Sequence, residues 1–240
     1  YICISQESQE SQEKTKNQKK RVYLASSLII LKDTLESQDK NLDLHFLSSS
    51  MIAQQVISGS PCDAMILADN QWQDYLERKL EHKFTKRIFA TNSLVLAGYN
   101  LPKITNLDYL KNLSKNLSKN PGNKLIIADP DYVPLGRYSK QALLNLGLWD
   151  ELKHKLILAT SAHHARVLLE QKAGEYALLF KTDIRDRIIL LTMISPKYYD
   201  QVEYSYLACK NSRDTTLKNL FFSSALRSAL LKYNFGIAHE

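Results

Sequence analysis

From Arg21 onward, short apolar runs with strand character alternate with segments of helical spacing, and this alternation constrains the chain more than anything else in it. The pattern predicts strands over 22–25, 42–47, 64–68, 125–128, 156–158, 176–180, 188–193 and 202–208. Helices are predicted over 28–35, 51–57, 136–146, 163–171, 216–222 and 224–233, and residues 87–98 read as one long extended region. Strands alternating with helices at this spacing imply an α/β fold with largely parallel sheets. The tandem Lys-Asn-Leu-Ser at 111–114 and 115–118 reads as an insertion in a surface loop and receives no function.

The first twenty residues follow a different pattern. A repeated Ser-Gln-Glu and a Lys-rich stretch carry too little apolar surface to offset their ordering entropy, so residues 1–20 are expected to form a flexible tail. The chain begins with Tyr rather than Met, which fits removal of an upstream export signal. Cys3 would then be a candidate for lipid attachment, although Tyr1 and Ile2 are not the small residues that such processing favours. No uncharged apolar stretch approaches the roughly 18 residues of a spanning helix.

Charge suggests an anionic partner. The 240 residues hold 32 Lys and Arg against 25 Asp and Glu, a formal net charge of +7. Nucleic acid is the obvious guess, but the basic residues are scattered. The one dense cluster, Lys14 to Arg21, follows Glu7, Glu10 and Glu13, and no nucleic-acid-binding motif is present. Catalysis finds little support either. Asp69, Asp129, Asp131, His163 and His164 are the acid–base or metal candidates, yet there is no metal-ligand spacing, phosphate loop or nucleophile elbow. No enzyme and no cofactor are expected.

One chemical feature recurs. Several strands run into a hydroxyl residue or a Pro just before a helix: Ser26-Ser27, Ser48-Ser49-Ser50, Asp129 to Pro134, and Thr160-Ser161. Each alone reads as a helix cap. Together they place helix starts beyond the carboxyl ends of strands, where open α/β sheets bind ligands and free N–H groups suit an anion.

The stretch Asp129-Pro130-Asp131-Tyr132-Val133-Pro134-Leu135-Gly136-Arg137-Tyr138, continuing to Leu146-Gly147-Leu148-Trp149-Asp150, resembles the molybdate-binding proteins of ABC importers. Ser27-Leu28, Phe46 to Ser50, Ala68-Asp69 with Trp72 and Tyr75, Asn92 to Val95, Val202-Glu203-Tyr204 and Lys232 to Gly236 resemble the same family in the same order. The resemblance implies a two-lobed type II periplasmic-binding-protein fold, each lobe a mostly parallel sheet flanked by helices. Lobe one would comprise 21–90 with 202–240, and lobe two 91–201. The implied activity is capture of molybdate or tungstate between the lobes and delivery to the membrane permease of an ABC importer, by a periplasmic protein acting as a monomer. The implied ligand set is the hydroxyl and backbone of Ser27 and Ser49 with the backbone N–H groups of Leu135 and Ala162. Where the family commonly has a fifth donor, a tyrosine, this chain has Phe180, which has none. That departure leaves open a diverged protein of the same fold for another small anion or an organic ligand. His163 stands where an arginine is usual, and if protonated would bring positive charge to the rim. In the resembled fold the strands bearing Cys62 and Cys209 neighbour each other, so a disulfide and two free thiols both stay open.

Overall fold

The computed structural model describes residues 19–81, 84–99, 112–120, 122–209 and 215–237. Most of the tail assigned to 1–20, and with it Cys3, lies outside them.

Ten strands build two five-stranded sheets. The first contains β1 (Lys20–Ala25), β2 (Leu42–Leu47), β3 (Ala64–Leu67), β4 (Lys86–Asn92) and β10 (Val202–Ala208), in the order β2-β1-β3-β10-β4. The second contains β5 (Leu94–Tyr99), β6 (Leu125–Ala128), β7 (Leu156–Ala159), β8 (Tyr176–Phe180) and β9 (Ile188–Met193), in the order β7-β6-β8-β5-β9. Each sheet has a parallel core of three strands, followed by an antiparallel strand and a fifth antiparallel to that one. Four strands of each sheet therefore share a direction, and the sheets are mixed. The reversed strands, β10 and β5, are those by which the chain enters a sheet after crossing from the other.

Packing explains why the central strands read so clearly. In β1 and β3, Val22, Leu24, Ala64 and Ile66 point into the main core, while Tyr23, Met65 and Leu67 point into a second cluster with Ile52 and Leu76. Both faces of the sheet are covered, so these strands are almost continuously apolar.

The extended region at 87–98 is two strands in different sheets. It changes over at Ser93, between β4 and β5, and the chain returns between β9 and β10 through a 3-10 turn at Pro196–Tyr198. The two crossings are bonded together. Leu94 N–H donates to the Tyr199 hydroxyl at 3.0 Å, and Ile194 N–H donates to Leu94 O at 3.0 Å.

The helices are α1 (Lys32–Gln38), α2 (Ser49–Ile57), α3 (Asn70–Leu80), α4 (Leu113–Ser118), α5 (Pro134–Asn145), α6 (Trp149–Leu152), α7 (Ala162–Glu170), α8 (Thr215–Phe221) and α9 (Ser224–Lys232). Four differ from expectation, the short α6 because no helix is predicted over 149–152. The helix predicted over 28–35 opens as a 3-10 turn, Ser26–Leu31, before becoming α1. The polar α3, absent from the sequence reading, is capped by Asp69 and buries only Gln73 and Leu76. The Lys-Asn-Leu-Ser repeat is not a loop insertion: from Leu113 it forms α4. Its repeat length of four brings Leu113 and Leu117 to one helical face, where both are fully buried.

Cys62 and Cys209 form a disulfide with Cα atoms 6.1 Å apart. They flank the antiparallel pair β3 and β10, in which Ala64 faces Ala208. The first sheet is thus stapled at the end where β3 begins and β10 finishes, opposite the end that runs into Ala68.

Candidate functional site

Four helix starts converge between the sheets on a small cavity of about 200 Å³ including its mouth. Its walls come from Ala25, Ser26 and Ser27 after β1, Ser48 and Ser49 after β2, Ala68 after β3, Val133 to Leu135 at α5, Ala162 at α7, and Phe180 at the end of β8. All five residues singled out from the sequence, Ser27, Ser49, Leu135, Ala162 and Phe180, line it, and no lining side chain is charged.

Each wall has a local cause. Ser48 caps α2, its hydroxyl accepting from Met51 N–H, so Ser49 occupies the first helical position. Pro134 opens α5 where a missing N–H costs nothing, and Leu135 follows with one of the N–H groups that have no partner within the helix. Gly136 lets α5 approach β6: a Cβ there would overlap the carbonyl oxygens of Ala128 and Asp129. The Leu135 side chain packs into the main core, which accommodates its size. Ser161 caps α7 by accepting from His164 N–H at 3.0 Å, leaving Ala162 at the helix start.

The two serines are held by partners behind them. Ser49 Oγ accepts from Ala68 N–H at 3.1 Å, so its own proton remains available to the cavity. Ser27 Oγ lies 2.9 Å from the hydroxyl of fully buried Tyr204, which in turn accepts from Asn92 Nδ2 at 3.1 Å. Phe180 sits between two tyrosines, its ring centroid 6.5 Å from that of Tyr138 and 6.3 Å from that of Tyr204. Tyr138 turns its hydroxyl away, donating to Ala68 O at 3.2 Å.

Charge stands one layer out. Arg137 on α5 reaches across the cleft to Asp69 Oδ2 at 3.3 Å, and it also donates to Asp200 Oδ2, between β9 and β10, at 3.2 Å. Burial raises the Asp69 carboxyl pKa above its ordinary value, against the pull of Arg137 and Trp72 N–H. Burial also opposes the charge on Arg137, but the neighbouring Tyr138, Asp69 and Asp200 raise its pKa on balance. This cross-cleft pair was not foreseen in the sequence, where Asp69 and Arg137 are far apart.

The acid–base candidates do not assemble. Asp129 Oδ1 accepts from Asp131 N–H in a local turn, and His164 Nδ1 bonds back to Thr160 at the start of α7. Burial, then Arg166 and Arg185, lower the His163 pKa. The lowered pKa disfavours the positive rim charge considered for His163. Among the described residues no group of His, Cys, Asp and Glu side chains is placed to hold a metal ion, and no helix is long and apolar enough to cross a membrane.

Residues 36–229 match the family model for bacterial extracellular solute-binding proteins. The molybdate-binding protein ModA of Haemophilus influenzae is 28% identical over 226 residues, 89% of this chain and 88% of that one. The ModA of Escherichia coli is 29% identical over 210 residues, 83% of this chain and 80% of that one. The periplasmic molybdate-binding protein of Azotobacter vinelandii superposes with a TM-score of 0.75 at 16% identity, covering 92% of this chain and 100% of that one. The chain belongs to the family of bacterial extracellular solute-binding proteins.

Proposed function

We propose that this protein captures a tetrahedral oxyanion, molybdate or its isostere tungstate, in the cavity between the sheets and delivers it to the membrane permease of an ABC importer. One observation carries the reading: four helix starts, drawn from both sheets, meet on a cavity whose lining side chains include serine hydroxyls and no charge. Neutral donors fixed at helix starts favour a dianion, because N–H groups and the positive end of each dipole face it without a buried counter-charge. Ser27 and Ser49 would donate through hydroxyl and backbone, and Leu135 and Ala162 through backbone N–H. The ModA relatives, aligned over most of the chain, support molybdate as the first ligand to test.

The bodies that close on the ligand would be 21–90 with 202–240 and 91–201, moving about the crossings at Ser93 and at the turn before β10. The protein would act outside the cytoplasm as a monomer. Phe180 favours a second reading, a relative that has lost the phenolic donor and takes another small anion or an organic ligand.

Titration calorimetry of the purified protein against molybdate, tungstate, sulfate and phosphate decides between them. The proposal expects molybdate and tungstate to bind at micromolar concentrations or below, with sulfate and phosphate weaker. No heat with either metal oxyanion well above micromolar would leave the second reading.

A further inference from the structure

The bonds behind Ser27 have a direction that can be read from the atoms. Ser93 N–H donates to Asn92 Oδ1 at 2.8 Å, which fixes the orientation of the Asn92 amide. Its Nδ2 therefore faces two hydroxyls as a donor, Thr182 Oγ1 at 3.0 Å and Tyr204 OH at 3.1 Å. Tyr204 is fully buried and already accepts from Asn92, and its one proton needs an acceptor. Among the described residues the acceptor within reach is Ser27 Oγ, at 2.9 Å. Tyr204 thus donates to Ser27, and the Ser27 proton is left for the cavity that Ser27 lines.

We propose that Tyr204, oriented by Asn92, is a positioning residue that fixes Ser27 as an obligate hydrogen-bond donor to the bound anion; this rests on the oxyanion reading above. The arrangement matches Ser49, whose oxygen is occupied by Ala68 N–H. Each hydroxyl then has one lone pair occupied and its proton free for the cavity. A ligand oxygen meeting them must accept, which molybdate, tungstate and sulfate do at every oxygen. A hydrogen phosphate dianion carries one O–H, for which hydroxyls already accepting one bond and donating their proton are the poorer partners. Asn92 is the last residue of β4, one residue before the crossing, and its second proton goes to Thr182 in the 3-10 turn that follows β8 of the other sheet. The residue that sets the donor is therefore itself held by both sheets.

Calorimetry at pH 8 on the full chain tests this with molybdate, sulfate and phosphate, using wild type, Tyr204→Phe, Ser27→Ala and the double variant, with thermal unfolding as the folding check. Tyr204→Phe frees a Ser27 lone pair and lets its hydroxyl rotate. It should weaken molybdate and sulfate by about tenfold while leaving phosphate unchanged or tighter, so the molybdate-to-phosphate ratio falls. In the Ser27→Ala background the same change should alter molybdate affinity less than about twofold, because its route is gone. If Tyr204→Phe fails to fold, Asn92→Ala, which leaves the phenol in place but free to turn, should lower the same ratio by about threefold. Wild-type affinity and ratio in a folded Tyr204→Phe would overturn the proposal, as would an equal loss in the Ser27→Ala background. Wild-type protein that binds none of the three anions would overturn the oxyanion reading and this proposal with it.

Discussion

The two walls of the cavity are built on different chemistry. The wall from the first sheet offers side-chain hydroxyls, Ser27 and Ser49, each held from behind by a buried partner. The wall from the second sheet offers the helix starts at Leu135 and Ala162, with Phe180, whose side chain has no donor, beside them. A donor in the first wall can be deleted by a point mutation. A donor in the second can only be displaced, by moving the helix that carries it, and that helix is seated by Gly136. The first sheet is also stapled by Cys62–Cys209, whereas residues 91–201 contain no cysteine.

The largest effect expected from this asymmetry is on stability. The disulfide closes a loop with a sequence separation of 147 residues. Reducing it, or making the paired Ser variants, should cost about 2–5 kcal/mol in chemical denaturation. Oxyanion affinity should change little, since the staple lies away from the cavity. Unchanged stability after reduction would mean the sheet needs no staple.

The next test sets the walls against each other. Ser27→Ala and Ser49→Ala should each weaken molybdate by about tenfold to a hundredfold, the worth of a hydrogen bond to a charged group. Leu135→Ala should lower stability by about 2–5 kcal/mol through the buried cavity it leaves, yet keep affinity within a few fold because its N–H remains. Equal affinity losses at all three positions, measured by calorimetry on folded protein, would erase the distinction between the walls.

A gain is expected at Phe180. Phe180→Tyr restores a donor to the second wall and should tighten molybdate by about tenfold. Unchanged affinity would show that another donor already serves that oxygen.

The smallest effect concerns pH and the 3-10 turn that follows β8. Burial pushes the Asp183 carboxyl up to about 7, against the pull of Arg185 and Arg166. A folded pKa above the unfolded one means the folded state binds the extra proton, so the stabilisation is complete below about pH 4 and lost as pH rises through about 7. Between pH 6 and 8 this amounts to about 1 kcal/mol. The melting temperature should fall over that range in wild type and fall less in Asp183→Asn.

The sequence was informative where burial is two-sided and local. The central strands appear as apolar runs because both faces are covered, and the helix starts appear because capping residues sit next to the strands they follow. It was silent where only one narrow face is buried, as in α3, or where a repeat resembling loop filler places Leu113 and Leu117 in the core. The reversed direction of β5 depends on partners far along the chain. The same holds for Asn92, Tyr204 and Ser27: Tyr204 is 177 residues from Ser27 and 112 from Asn92, so no local pattern joins them. The resemblance to molybdate-binding proteins brought five cavity residues forward, but not the bonds that give the serines their direction.

The central claim is that neutral donors from both walls surround one oxyanion. A crystal structure of the protein grown with molybdate, with data collected at the molybdenum absorption edge, tests it most directly. The account predicts one anomalous peak in the cavity, with ligand oxygens within hydrogen-bond reach of Ser27 Oγ, Ser49 Oγ and the backbone N–H groups of Leu135 and Ala162. A peak elsewhere on the molecule, or an anion held by a charged side chain instead, would contradict it.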